Sequence, residues 1–320
     1  LYGGWGFAKG KAWYDDVGLE LLETRKMKPT ITIAAGKEGA PISQYIYGQF
    51  IEHMGRCIYG GIWAEMLEDR KFYFTISETY APYKGLEDTE FPVVGASPWQ
   101  IIGEPGSVRM VEEDSFVGEH APLISQGGGI RQRDLGVRGG IGYTGYVWAR
   151  PTAEESAELE IALIWGEGDA DREVEILRFG AGEYSKQTFT LMPAKTVSRG
   201  AMLEIRALRG DISIGTASLM PGDNVRGMRA DTLAMLERLK GTIYRWPGGN
   251  FVSGYDWRDG IGDRDRRPPR QNPAWTGVEH NDFGTDEFLD FCREIGTEPM
   301  IAVNTGFGDA YSAAQWVEYT

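Results

Sequence analysis

Cysteine and histidine are scarce in these 320 residues: Cys57 and Cys292 are the two thiols, and His53, His120 and His280 the three imidazoles. The thiols lie far apart without metal-ligand neighbours, which excludes a zinc pattern and a disulfide framework and makes buried thiols the expectation. So few histidines hold no histidine-rich metal centre, and neither a metal nor a cofactor is expected. No apolar run reaches the ~18 residues that a membrane-spanning helix needs. Basic residues are in deficit, 33 Lys and Arg against 47 Asp and Glu, a formal net charge of −14. That balance argues against a nucleic-acid partner, because phosphate binding needs a basic face. Residues Leu1 to Lys11 lack a basic start and an apolar stretch, so the chain reads as beginning inside a folded unit, with sequence upstream of it removed. Carboxylate, amide and aromatic chemistry is what remains.

With 42% hydrophobic and 12% aromatic residues the chain can bury a sizeable core and hold two or more domains. Lys11 to Leu21 alternates apolar and polar side chains, as a half-buried strand does, and so does Asp211 to Pro221. Between Phe74 and Leu219, short β-rich runs are separated by turn residues: Ser107 to Val111, Ile141 to Arg150, Ala157 to Trp165, Arg172 to Arg178, Ser185 to Leu191 and Ala201 to Leu208. This spacing predicts an all-β sandwich. Its aromatics Trp99, Tyr143, Tyr146, Trp148 and Trp165 alternate with small residues in the manner of a core. A ligand site there would need two of those rings exposed on one face.

The flanks have another rhythm. Ile46 to Ile51 reads as a strand, and Gly60 to Leu67 as a helix start or tight loop. Met228 to Lys240 reads as a helix with Leu233, Leu236 and Leu239 on one face, stopped by Gly241, and Thr242 to Trp246 as a strand. A second helix, Gly284 to Glu294, takes Thr285 as N-cap, Phe288, Leu289, Cys292 and Ile295 as apolar stripe and Gly296 as C-cap. Pro299 to Asn304 and Asp309 to Tyr319 complete a third unit. Strands alternating with helices imply a parallel sheet, here interrupted by the sandwich. Roughly three units fall well short of the ~250 residues of a closed eight-fold barrel.

In parallel α/β barrels ligands meet the residues just after each strand. Three strand ends are legible: Glu52-His53, Pro247-Gly248-Gly249-Asn250 and Asn304-Thr305-Gly306. Glu52 can accept hydrogen bonds from sugar hydroxyls, or pair with Arg56 or Arg245 for structural reasons. Asn250 both donates and accepts, or is a turn residue in a left-handed conformation beside two glycines. Trp246, Trp257 and Trp275 can stack on a sugar face or sit in a core. His53 reads as a packed, hydrogen-bonded histidine, with acid/base work as the other reading. The mixed-charge run Asp259 to Arg270 reads as a solvated loop with local ion pairs.

Three ordered segments carry a resemblance: Tyr47 to Gly61, with its Gly48-Gln49-Phe50-Ile51-Glu52-His53-Met54-Gly55-Arg56 core; Arg245 to Trp257, containing Trp246-Pro247-Gly248-Gly249-Asn250-Phe251; and Asn281-Asp282-Phe283-Gly284-Thr285 through Asn304. They resemble the α-L-arabinofuranosidases of glycoside hydrolase family 51, over residues 30–73 and 219–320. The resemblance implies a (β/α)8 TIM barrel interrupted by a β-sandwich of the galactose-binding or carbohydrate-binding-module kind. The units expected are a preceding sandwich tail at 1–26, the barrel start at 27–73, the inserted sandwich at 74–218 and an incomplete barrel continuation at 219–320. The implied activity is the retaining removal of terminal α-L-arabinofuranosyl groups from arabinan or arabinoxylan by two glutamates. On matching positions Glu52 and Asn250 would bind arabinose hydroxyls, Trp275 would line the pocket and Asn304 would lie near the cleft floor.

The catalytic pair departs from the pattern. The acid/base glutamate belongs to an Asn-Glu dipeptide after the fourth barrel strand and the nucleophile to a later strand. No Asn-Glu dipeptide occurs here, so no catalytic residue is assigned. The expected partners are an arabinose-containing polysaccharide and a missing C-terminal part or second chain that supplies the pair. The family implies oligomers, though no motif specifies a homo-oligomer. No compartment is legible; an extracellular or periplasmic one agrees with such a ligand. Two other functions remain open: an endo-β-1,4-glucanase of the same family and a non-catalytic carbohydrate-binding protein.

Overall fold

The computed structural model describes residues 28–83, 92–152 and 155–320. The chain forms two compact units, Leu1–Ile42 and Ser43–Thr320. The sandwich tail expected at 1–26, with its strand at 11–21, lies outside the described residues. In the first unit, residues 28–42 contain one turn, closed by Lys37 N donating to Ala34 O at 2.9 Å.

The second unit opens on strand β1 (Gln49–Phe50), preceded by a 3-10 turn where the sequence suggested strand from Ile46. Ten antiparallel strands follow: β2 (Trp99–Ile102), β3 (Val108–Val111), β4 (Ala121–Ile124), β5 (Gly129–Val137), β6 (Tyr143–Pro151), β7 (Ala157–Ile164), β8 (Arg172–Phe179), β9 (Ser185–Leu191), β10 (Val197–Arg209) and β11 (Ile212–Pro221). They make two five-stranded sheets, ordered β2-β5-β10-β7-β8 and β3-β4-β11-β6-β9. Between them packs one apolar core containing Ile130, Val147, Ile161, Leu163, Leu203, Ile205 and Ile214. β6 shows why: Tyr143, Gly145, Val147, Ala149 and Pro151 are buried and the residues between them are more exposed, the period-2 signature of one face against a core. Gly145 cannot carry a side chain there, since a Cβ would lie 2.2 Å from Phe189 Cζ.

β11 breaks that alternation and is buried on both faces from Ile212 to Leu219. Its second face is covered by the segment that follows β1. Thr216 Oγ1 donates to Arg70 O at 2.9 Å, and Ser218 Oγ donates to Glu65 Oε2 at 2.5 Å. The sandwich thus seats on this segment through β11 and, at Gln132 of β5 and Trp99 of β2, through its other sheet as well.

After β11 come helix α1 (Ala230–Leu239), β12 (Ile243–Trp246), a short hairpin of β13 (Arg270–Gln271) and β14 (Val278–Glu279), α2 (Thr285–Ile295), β15 (Glu298–Ile301) and α3 (Ala310–Tyr319). β12 lies between β1 and β15, parallel to both. One face of this sheet packs on the helices: Tyr244 and Trp246 join Phe288, Phe291 and Trp316 in a second core. The other face lines up Phe50, Arg245 and Met300 in register and is open, with Phe50 45% and Met300 49% exposed. A closed barrel would bury this inner face; within the described residues the parallel sheet has three strands.

Local signals differ from expectation at two caps. Lys240, not Gly241, takes the left-handed conformation that ends α1, with φ 55°. Gly241 is small for contact instead, since a Cβ would lie 2.7 Å from Tyr244 Cε2. Thr285 is the first residue of α2 rather than its cap, and its buried hydroxyl accepts from Trp316 Nε1 at 2.9 Å. On the helix stripes, Leu239 is exposed while Phe291, absent from the expected pattern, is buried.

The mixed-charge run also departs from expectation, because Asp265 and Arg267 are buried rather than solvated. Asp265 accepts from Tyr146 Oη at 2.6 Å and Trp148 Nε1 at 2.9 Å, with Lys186 Nζ at 3.3 Å and Arg70 Nη1 at 3.0 Å. Arg70 also grips Asp282 through Nε at 2.5 Å and Nη2 at 2.7 Å, and Lys71 Nζ lies 2.8 Å from the same carboxylate. Arg267 pairs with both oxygens of Glu287 at 2.9 and 3.1 Å. Burial opposes ionisation of Asp265, yet Arg70, Tyr146, Trp148 and Lys186 outweigh it and hold the carboxyl down at about 2. The unfolded chain therefore protonates first on acidification, so this stabilisation is complete above the ordinary carboxylate range and is lost as pH falls toward 2. Asp265→Asn is expected to lower stability near pH 7 by about 2 kcal/mol, the difference from wild type shrinking below pH ~4. Denaturant midpoints measured across that range check it.

Candidate functional site

The three strand ends converge on one edge of the parallel sheet. After β12 the chain turns through Pro247, Gly248 and Gly249, with Gly248 at φ 143°. The turn wraps the carboxylate of Glu52: Glu52 Oε1 accepts from Gly249 N at 3.1 Å and Phe251 N at 2.9 Å. These amides flank Asn250, so the loops after β1 and β12 are joined where both sequence-selected residues stand. Glu52 Oε2 makes no hydrogen bond among the described residues. The ion pairs proposed as its alternative are not formed: Arg56 pairs with Glu68 at 2.5 Å, and the Arg245 guanidinium lies over the Phe50 ring at 4.4 Å.

Asn250 is exposed and right-handed, at φ −70° and ψ −32°, which removes the left-handed turn reading. Its side chain caps nothing. Gly248 is the residue that needs glycine's freedom, for its own φ and because a Cβ there would sit 2.3 Å from Glu52 Cγ. Gly248→Ala is expected to destabilise the protein by about 1–3 kcal/mol and to displace Glu52. Thermal unfolding measures this, and an unchanged midpoint would show that the turn does not depend on the close approach.

Trp275 is half-buried, with its backbone N donating to Asn272 Oδ1 at 2.8 Å. Asn272 Nδ2 in turn donates to His53 O at 2.7 Å, which ties the Trp275 loop to the residue beside Glu52. Asn304 works within the fold. Its Oδ1 accepts from the amides of Gly306, Phe307 and Gly308 at 3.0, 3.2 and 3.0 Å, and its Nδ2 donates to Tyr255 O at 3.2 Å. The other two tryptophans offered for stacking belong to the core. Trp246 stacks on Phe288 with centroids 5.1 Å apart, and Trp257 stacks on Trp316 at 5.9 Å and 5°. Apolar helix faces enclose their rings, while Trp275 packs against the same core only in part.

His53 is packed and hydrogen-bonded, as its sequence context suggested. Trp246 Nε1 donates to His53 Nε2 at 2.8 Å, and since an indole only donates, the imidazole proton resides on Nδ1. Nδ1 faces Glu279 Oε2 at 2.7 Å. Glu279 Oε1 also accepts from the Tyr59 hydroxyl and from Asn281 N at 2.7 Å, and Tyr59 Oη accepts from Asp282 N at 3.1 Å. Burial opposes ionisation of Glu279, but these contacts prevail and hold its carboxyl below the ordinary value. A chain of close polar contacts therefore runs from Trp246 through His53, Glu279 and half-buried Tyr59 to Asp282 and the Arg70 cluster. Sequence reasoning missed it. Its signals were the Arg70-Lys71 pair between apolar Leu67 and Phe72, and the polar run Glu279 to Asp282 beside a strand. Both cysteines are free; Cys292 is buried, with its thiol pushed up to about 12 by burial, while Cys57 is half-buried. Among the described residues no cluster of three or more His, Cys, Asp or Glu is placed to hold a metal ion.

Known proteins match parts of this chain. Residues 235–318 match the family model described as the Alpha-L-arabinofuranosidase 1 domain. Alpha-L-arabinofuranosidase C of Emericella nidulans is 48% identical over 99 residues, 31% of this chain and 20% of that enzyme. The intracellular exo-alpha-L-arabinofuranosidase of Bacteroides ovatus is 42% identical over 111 residues, 34% of this chain and 21% of that enzyme. Among solved structures, the thermostable GH51 alpha-L-arabinofuranosidase from Thermotoga petrophila is 53% identical, covering 30% of this chain and 20% of that one at a TM-score of 0.29. The matches span about a fifth of the length of these relatives.

Proposed function

We propose that this chain, whose residues 235–318 carry the α-L-arabinofuranosidase 1 domain, is the sugar-binding portion of a retaining α-L-arabinofuranosidase acting on arabinan- or arabinoxylan-type polysaccharide. The observation that carries this reading is the state of Glu52. One carboxylate oxygen is anchored by two backbone amides, the other has no partner among the described residues, and exposed Asn250 stands between the anchoring amides. A carboxylate oriented in this way accepts hydroxyl hydrogens in fixed directions, and the adjacent amide reads a further hydroxyl as donor or acceptor. Trp275 supplies an apolar wall, and Asn304 shapes the floor by holding the loop after β15.

Retaining hydrolysis needs two carboxylates about 5 Å apart, one attacking the anomeric carbon while the other protonates the leaving oxygen and then activates water. In this proposal the pair comes from polypeptide outside these residues, which also completes the (β/α)8 barrel over the open face of Phe50, Arg245 and Met300. The inserted sandwich is read as one of the carbohydrate-binding-module kind. The protein completed with the remaining strands is assayed on an aryl α-L-arabinofuranoside and on carboxymethyl cellulose. Release from the arabinofuranoside supports the proposal; activity on glucan alone replaces it with an endoglucanase, and polysaccharide binding without sugar release leaves a binding protein.

A further inference from the structure

The turn that wraps Glu52 is held at both ends by one imidazole. His53 follows Glu52 in the chain and is buried. Before the turn, Trp246, the last residue of β12, donates its indole N–H to His53 Nε2 at 2.8 Å. After it, the Phe251 ring stacks on the same imidazole, with centroids 4.5 Å apart and 18° between the planes. The backbone N of Phe251 is one of the two donors that anchor Glu52 Oε1. The stretch from Pro247 to Asn250 is therefore spanned by contacts to a single side chain, and the neighbour of that side chain carries the anchored carboxylate.

The orientation of the imidazole depends in turn on Glu279. Nε2 accepts from an indole only when the proton sits on Nδ1, and Glu279 Oε2 stands 2.7 Å from Nδ1. The other oxygen, Oε1, is taken by two donors, the Tyr59 hydroxyl and Asn281 N at 2.7 Å. Both oxygens of buried Glu279 thus face donors, a set that a carboxylate satisfies and an amide does not. We propose that His53 and Glu279 are positioning residues of the sugar site: Glu279 keeps the His53 proton on Nδ1, and His53 then holds Trp246 and Phe251 so that the amides of Gly249 and Phe251 orient Glu52 toward a hydroxyl. The proposal rests on the reading of Glu52 as a sugar ligand.

Glu279→Gln tests it. The glutamine oxygen stays with Tyr59 and Asn281, which turns an NH2 group toward Nδ1; the proton then moves to Nε2, where it meets the Trp246 N–H, and that contact breaks. Nitrogen-15 NMR of this chain is expected to show wild-type His53 protonated on Nδ1 and the variant protonated on Nε2, with the amide signals of Gly249 and Phe251 displaced. In the protein completed with its remaining strands, kcat/KM on an aryl α-L-arabinofuranoside is expected to fall about 2- to 10-fold. Trp246→Phe, which keeps a ring against Phe288 and removes the indole donor, serves if the glutamine variant does not fold: the same two amide signals move while Nδ1 keeps its proton. A wild-type imidazole protonated on Nε2, or undisplaced amide signals in the folded variant, overturns the positioning at any rate of turnover. Displaced signals with unchanged kcat/KM overturn it as well when Glu52→Gln is slow. Displaced signals with Glu52→Gln at the wild-type rate remove the sugar reading instead and leave His53 and Glu279 as the residues that orient Glu52.

Discussion

Glu52→Gln, in the protein completed by its remaining barrel strands, is expected to lower kcat/KM on an aryl α-L-arabinofuranoside by about 10- to 100-fold. The estimate follows from the charge. A hydrogen bond to an ionised group contributes about 1.5–3 kcal/mol, and each 1.36 kcal/mol is a factor of ten in rate. Glutamine keeps an oxygen for the amides of Gly249 and Phe251, so the turn stays in place and the loss reports on the ligand. Glu52→Ala removes the anchor as well and is expected to lower the unfolding temperature, which the Gln variant largely preserves. Asn250→Ala removes an exposed, neutral partner and is expected to cost about 0.5–1.5 kcal/mol, roughly tenfold or less. Initial rates with matched thermal unfolding curves check all three. A Gln variant with wild-type kcat/KM would remove Glu52 from the sugar site.

Arg70→Met is expected to destabilise this chain by about 3–5 kcal/mol, because it leaves buried carboxylates without their principal counter-charge. Asp282 would lose both of its Arg70 contacts and Asp265 one of its four partners. A surface comparison sets the scale. Arg178 pairs with Glu158 at 3.2 Å, but its side chain is 76% exposed, and Arg178→Met is expected to change stability by no more than about 0.5 kcal/mol. Urea unfolding of the two variants decides: equal midpoints would show that the cluster does not hold the sandwich on the α/β part. The effect follows from Arg70 contacting Asp265 and Asp282 in the α/β part and Thr216 of β11, so its removal acts on both sides of the contact.

The β elements most legible from sequence are those with one face against a core. β6 and β9 alternate cleanly, and both fall close to their expected bounds. β4 was not anticipated, since all four of its residues, including Pro122, are buried and no period remains to be seen. β5 was hidden for a related reason: Gln132, a polar residue within it, is buried because it exchanges hydrogen bonds with the backbone of Glu68 at 2.7 and 2.9 Å. The strand ends were legible too, because turn glycines and an amide after an apolar run are short-range signals. The sequence could not show which oxygen of Glu52 the turn would hold, or that Trp246 and Trp257 would be taken fully into the helix core while Trp275 packs against it only in part.

Residue order along the chain dictated the alternating sandwich strands, the helices and the turn residues at the strand ends, because each depends on neighbours within a few positions. The partners of the buried charges came from the folding of distant segments onto one another. Asp265 meets Tyr146, Trp148 and Lys186 across at least 79 residues, and Arg70 meets Asp282 across 212. Counting charges in a run cannot distinguish a solvated loop from a buried one, since burial is decided by whichever surface closes over it, and here that surface is the outer face of β6 and β9.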